Sequence, residues 1–295
     1  MGFERPASYT GGQNSQPCDA LCIASVSECA FITSMTRHML SPMNARFPRR
    51  YSPLGRTLSL FALLLTAIMA QPDTAHAQLD TAKPVVVELF TSQGCSSCPP
   101  ADKFLGDLAK RDDVIALAYH VDYWNRLGWV DPYSSEWATA LQTSYSRAHD
   151  RRNNYTPQMI IQGVSDVIGS RRKAAMAEID AHQATGFRRA SVELSMADDG
   201  QVNVALGHLD RPVEADILLL RYHQHKATQI GRGENGGRTL DYHNIVHERR
   251  VIGRWRGEAE AFTVPGLGGA EDAGLVVMIQ ERNHGPIIGA GKLER

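Results

Sequence analysis

Val85-Val86-Val87-Glu88-Leu89-Phe90-Thr91-Ser92-Gln93-Gly94-Cys95-Ser96-Ser97-Cys98-Pro99-Pro100 is an apolar run of strand length that ends in a polar turn and delivers two cysteines three positions apart. Downstream, Ala101, Phe104, Leu105, Leu108 and Ala109 recur at helical spacing. The cysteines therefore stand where a strand hands over to a helix. Unpaired backbone amides and the positive end of the helix dipole stabilise a thiolate at such a place. Pro99 and Pro100 fit only a first helical turn, so the spacing predicts a helix from about Ser97 to Lys110, with Cys98 one turn in.

The chain around this stretch has 295 residues, 43% hydrophobic and 21% charged, ordinary values for a globular protein with a core. A net charge of −1 offers no electrostatic attraction to nucleic acid or to an anionic membrane, and neither is expected as a partner. Of five cysteines, Cys18, Cys22 and Cys29 precede a secretory pattern and only Cys95 and Cys98 follow it. That pattern consists of Arg46, Arg49, Arg50 and Arg56, an apolar run at 58–70, and Ala75-His76-Ala77 as a small-x-small cleavage site. The run is shorter than the roughly 20 residues a membrane span needs. Residues 1–42 are expected to be a disordered upstream extension and 43–77 the signal peptide. The mature chain, from Gln78, then has one cysteine pair, no membrane span and a periplasmic or secreted location, an oxidising compartment.

Within it, Val85 to Phe90 and Val114 to Val121 read as buried strands flanking the helix, a βαβ unit. Tyr123, Trp124, Trp129, Tyr133, Trp137 and Tyr145 crowd a helical insertion at 122–152, with a helix from Ser134 or Ser135 to about His149. These aromatics either pack on the sheet or form a lid or partner groove beside the cysteines. Two β-rich runs joined through Gln162-Gly163 read as a hairpin, and Ser170 as the cap of a helix reaching Gly186. The order β, α, β, insertion, β, β, α completes an α/β domain at 78–188. Residues 189–295 hold only short β-rich runs, 239–246 and 249–255 among them, which suggests a smaller all-β, sandwich-like domain.

A CxxC pair can be a staple, half a metal site or a redox dithiol. Closing only a few residues removes little unfolded-state entropy. Zinc needs two further ligands, and His120 and His149, the nearest histidines, are at no recognised metal spacing. The redox reading explains most: Cys95 attacks as a thiolate, and the more buried Cys98 resolves the mixed disulfide. No dissociable cofactor is needed, since the electrons reside in the pair.

The chain resembles the thioredoxin-like superfamily in its first strand, Cys95-Ser96-Ser97-Cys98 at a helix start, the second strand, and Thr156-Pro157 opening a hairpin before a terminal helix. The resemblance implies a cis peptide at Thr156-Pro157 that faces the disulfide, with Thr156 and Pro157 contacting substrate. It also implies a buried acid that helps deprotonate the second cysteine, a role Glu88 matches if one residue is inserted. A strand-edge acid facing solvent is the alternative for Glu88. Gln93-Gly94 stands where a tryptophan often precedes the first cysteine, and Ser96-Ser97 replaces Gly-Pro, supplying two hydroxyls that can donate to a thiolate. The whole mature sequence further resembles a secreted bacterial thioredoxin-like family of uncharacterised function, on the 90–102 stretch and on Gly231-Arg232-Gly233-Glu234-Asn235.

Gly231 to Gly236 also matches GxGxxG, but a strand rather than a helix follows, so a glycine-rich hairpin is expected and not a dinucleotide site. The expected activity is that of an exported thiol-disulfide oxidoreductase acting on protein or small-molecule thiols and disulfides, with a redox partner protein. The alternative is a non-catalytic binding module whose disulfide is inert or whose cysteines hold copper.

Overall fold

The computed structural model describes residues 83–267 and 273–294. The expected upstream extension and signal peptide lie outside them. β1 (Val85–Thr91), α1 (Pro99–Leu108) and β2 (Val114–His120) follow as strand, helix and strand, and β1 and β2 pair in parallel with Leu89 opposite Ala118. The 122–152 segment carries α2 (Glu136–Ala148), capped by the Ser135 side chain, which accepts from the Ala138 amide. β3 (Gln158–Ile161) pairs antiparallel with β1 and with β4 (Ser165–Ile168). The β3–β4 turn holds Gln162 and Gly163 at positive φ. α3 (Arg172–Ala184) follows with Arg171 at its N-cap and no side-chain cap, which corrects the cap expected at Ser170.

The rest is all strand: β5 (Val192–Met196), β6 (Val202–Leu206), β7 (Ala215–Gln229), β8 (Thr239–Trp255), β9 (Glu260–Val264), β10 (Ala273–Glu281) and β11 (Ile287–Glu294). β5, β6 and β9 form a small antiparallel sheet. The other four strands extend the first sheet, giving the order β11-β10-β7-β8-β2-β1-β3-β4. The fold is thus mixed α/β with one large mixed sheet and one small antiparallel sheet. The boundary expected at 188/189 separates mixed chain from all-strand chain, yet the large sheet runs across it. The seam is the parallel pairing of β2 with β8 at Ala118 and Ile245, flanked by Asn244 Nδ2 donating to the Ala116 carbonyl at 2.8 Å. The runs expected as separate strands at 239–246 and 249–255 are one strand, β8, because they pair along the whole of β7.

Alternation along the strands divides the interior into three cores. Val87 and Leu89 face α1 and α3, packing with Ala101, Phe104, Leu105, Ala175 and Ile179. Val86 and Phe90 face α2, packing with Leu117, Tyr119, Leu141, Tyr145 and, from β7, Leu218 and Leu220. Ile217 and Leu219, the intervening β7 residues, turn to the small sheet and meet Val202, Val204 and Leu206. No described helix is long and apolar enough to cross a membrane.

Candidate functional site

The loop leaving β1 carries Cys95 and Cys98, joined as a disulfide with Cα atoms 5.4 Å apart. Cys98 is the N-cap of α1, with proline in the first two helical positions, so the helix begins at Pro99 rather than near Ser97. The cysteine expected one turn in therefore caps the helix, its carbonyl accepting from Ala101 and Asp102 amides at 2.8 and 3.1 Å. Cys95 and Cys98 are 1% and 0% exposed, so the expected contrast in burial between them is absent. Ser96 and Ser97 between them are exposed. Of the two hydroxyls, Ser97 Oγ lies 3.4 Å from Cys95 Sγ, and it also reaches the Thr156 carbonyl at 3.5 Å. That contact makes the two loops neighbours, and Thr156–Pro157 is a cis peptide.

The aromatic segment packs on the sheet, and part of it also borders the cysteine loop. Tyr145 lies in the core with Trp137 packed against it. Trp124, packed against the same core, also donates from Nε1 to Thr156 Oγ1 at 2.9 Å, and a side chain at Gly94 would meet its Cβ at 3.0 Å. An aromatic thus stands beside the residue before Cys95 although Gly94 itself has no side chain. Trp129 Nε1 donates to Gln93 Oε1 at 2.9 Å.

Glu88 is fully buried, but on the sheet face that carries α2, opposite α1 and the cysteines. Its Oε2 accepts from the Tyr145 hydroxyl at 2.5 Å, which in turn accepts from Gln280 Nε2 at 2.8 Å. Burial pushes its carboxyl up, opposed by the charge of Arg249 and the hydroxyls of Tyr145 and Tyr119. The strand period of two separates Glu88 from the role the resemblance implies for it.

The buried acid on the cysteine side is Asp102, one helical turn beyond Cys98 on the same face of α1. Thr91 Oγ1 donates to its Oδ1 at 2.7 Å, and burial pushes its carboxyl up to about 7 against the pull of that hydrogen bond and of His120. Close by, His120 Nδ1 and Asp131 Oδ2 are 2.7 Å apart with both side chains fully buried. Burial alone would lower the His120 pKa, but the charge and hydrogen bond of Asp131 outweigh it and hold the imidazole above its ordinary value. The same partner, with the amides of Gln93 and Tyr133, holds Asp131 below its ordinary range despite its burial. Asp102 Oδ2, His120 Nε2 and Tyr242 Oη have no hydrogen-bond partner, and the His120 and Tyr242 rings are 5.0 Å apart. Asp102 also lines a cleft of about 450 Å³ between α1 and β8, with Lys103, Lys110, Arg238 and His243. Asp102 and Asp131 were not singled out in the sequence, and His120 was weighed only as a zinc ligand. The legible signal was an acid four positions after the second cysteine on an otherwise apolar helix face.

The glycine-rich segment is a hairpin tip between β7 and β8, as expected, and not a helix start. It bends onto the cysteine loop. Asn235 Nδ2 donates to the carbonyls of Gln93 and Cys95 at 2.9 and 3.0 Å, and Glu234 Oε2 accepts from the Ser96 amide at 3.3 Å. At the tip Arg232 and Arg238 are exposed, whereas Asn235 is 1% exposed. Among the described residues no group of three or more His, Cys, Asp and Glu side chains is arranged to hold a metal ion.

The chain is similar to the crystal structure of a protein from Agrobacterium tumefaciens, at 32% identity and a TM-score of 0.64 over 72% of this chain and 95% of that one. It shares its fold with HBP35 of Porphyromonas gingivalis, at 15% identity and a TM-score of 0.52 over 72% and 75% of the two chains. No curated protein matches it. The model of the family described as "Protein of unknown function (DUF1223)" matches residues 86–280, a span that runs from β1 to β10 and takes in the cysteine loop, Thr156-Pro157 and the hairpin tip, and the chain belongs to that family.

Proposed function

We propose that this chain is an exported thiol-disulfide oxidoreductase of thioredoxin-like type, with Cys95 and Cys98 as its redox pair. The observation that carries the reading is the convergence on one disulfide of a helix N-terminus, the Thr156–Pro157 loop and a buried acid with a pKa near neutrality. In the reducing direction, the Cys95 thiolate attacks one sulfur of a substrate disulfide. A Cys95–substrate bond forms, the substrate S–S bond breaks, and the other sulfur leaves as a thiolate. Cys98 then gives its proton to Asp102 and attacks Cys95 Sγ, releasing the second substrate sulfur. Two electrons pass from the pair to the substrate, and the opposite direction reverses each step. Asp102 suits the proton transfer because its pKa lies near neutral pH, and the α1–β8 cleft offers its proton a way to solvent. The N-terminus of α1 and the Ser97 hydroxyl stabilise the Cys95 thiolate.

Protein or small-molecule thiols and disulfides are the substrate class, and a redox partner protein resets the pair. The secretory pattern at 43–77 supports an oxidising compartment. The deciding experiment follows thiol-disulfide exchange with the reduced mature protein. Cys95→Ser is expected to abolish turnover and Cys98→Ser to accumulate mixed disulfides. Turnover by both variants equal to wild type, or none by wild type with any disulfide, leaves the binding-module alternative in its place. Elemental analysis of the reduced protein then checks that alternative's copper.

A further inference from the structure

The hairpin tip at Ile230 to Arg238 plays no part in the steps above, yet it supplies a side chain that grips the loop of the redox pair from about 140 residues away. All of the Asn235 carboxamide is engaged: its two N–H groups go to the Gln93 and Cys95 carbonyls, and Oδ1 accepts from Arg238 Nη1 at 2.7 Å. The tip holds its own shape through Ile230 and Gly237 amides bonded to Arg238 and Ile230 carbonyls at 2.9 and 2.8 Å. It is also seated from outside, since a side chain at Gly231 would meet the Trp129 ring at 2.8 Å. Gln93, in turn, is held at three points, by Asp131 on its amide, Trp129 on its side chain and Asn235 on its carbonyl. The Cys95 carbonyl receives both Asn235 Nδ2 and the Cys98 amide, the latter at 3.2 Å.

We infer that Asn235 is a positioning residue for the redox pair: it keeps Cys95 beside Cys98 in the dithiol state and so makes the couple more reducing. This deepens the oxidoreductase reading and rests on it. Once the disulfide opens, nothing covalent holds the two sulfurs together, and an unrestrained loop gains conformational freedom that stabilises the dithiol. A clamp that does not depend on the disulfide withholds that freedom. The effective concentration of one thiol at the other stays high, and the disulfide re-forms more readily. A buried amide making three hydrogen bonds is suited to this, because each costs little to keep and much to leave unpaired.

The test equilibrates wild type and Asn235→Ala with glutathione redox buffers and reads the Cys95–Cys98 dithiol fraction by thiol labelling and mass. Circular dichroism confirms that each variant is folded. The variant's equilibrium is expected to move about tenfold toward the dithiol, which is about 30 mV for a two-electron couple. An equilibrium within twofold of wild type, or a changed melting temperature alone, overturns the clamp. Should Asn235→Ala not fold, Arg238→Met decides, because it alters an exposed side chain that orients the carboxamide. A shift of about threefold in the same direction supports the inference, and no shift overturns it. The equilibrium is a property of the two thiols and is measurable without turnover. An unchanged equilibrium with an active wild type therefore refutes the clamp alone, and an inactive wild type refutes the oxidoreductase reading.

Discussion

At residue scale, the two buried carboxylates Glu88 and Asp102 show how the same side-chain chemistry acquires different roles. Both are raised by burial and both keep one oxygen without a hydrogen-bond partner, but Glu88 sits within a core beside Tyr145 and Arg249, whereas Asp102 lies one helical turn after Cys98 and borders a cleft. Asp102 predicts a pH dependence. Its carboxyl is raised in the fold to about 7 from an ordinary 3.8, so between those pH values the native chain holds a proton that the unfolded chain has lost. The stability this confers is complete below about pH 4 and is lost as pH rises through about 7. Asp102→Asn keeps an acceptor for Thr91 and removes the titration. Urea unfolding of the oxidised proteins at pH 4 and pH 8 is expected to show the variant gaining roughly 2 to 4 kcal/mol on wild type between the two. A gap that stays constant with pH would refute the raised carboxyl. Under the oxidoreductase reading, the same variant resolves mixed disulfides at least about tenfold more slowly at neutral pH.

The element that matters most for the fold is the seam between β2 and β8. Its single bridged pair is supported by Asn244, buried, at φ +50° and bonded to the Ala116 carbonyl. Two costs can be separated there. Losing a hydrogen bond costs about 1 kcal/mol, and placing a residue with a Cβ in the left-handed region costs a further 1 to 2 kcal/mol. Asn244→Gly loses only the bond, and Asn244→Ala loses the bond and the tolerance. Denaturant titration is expected to rank wild type above Gly and Gly above Ala, with about 1 kcal/mol or more in the second gap. The reverse order of Gly and Ala would show that the backbone conformation there carries no cost.

Taken as a molecule, the chain binds its two halves through buried polar groups as well as through the sheet. Arg249 on β8 bonds to Gln280 on β10 at 2.9 Å, Gln280 to Tyr145 on α2, and Tyr145 to Glu88 on β1. Cutting at 188/189 takes Arg249 and Gln280 away from the Tyr145–Glu88 pair and uncovers the β2 edge. A fragment of residues 78–188 is therefore expected to lack a cooperative thermal transition, although it contains both cysteines and the Thr156–Pro157 loop. A sharp transition near that of the whole chain would show that the first half is self-sufficient.

The local elements were legible in the sequence because each is set by periodicity and turn chemistry: β1, α1, β2, the β3–β4 hairpin and the all-strand character beyond 189 follow from spacing alone. Cys95 and Cys98 stood out by residue type and spacing within a short motif, and Thr156 and Pro157 only through the resemblance. Partners distant in the chain were not. Asp102 meeting His120 and Asp131, Asn235 reaching the Cys95 carbonyl, and β8 joining β2 are contacts between segments whose local patterns carry no address for one another. Glu88 makes the division plain. Its burial was one of two outcomes its strand allowed, but which face it occupied, and hence that it serves the α2 core and not the cysteines, was decided only when β1 was paired on both edges and covered by helices on both sides.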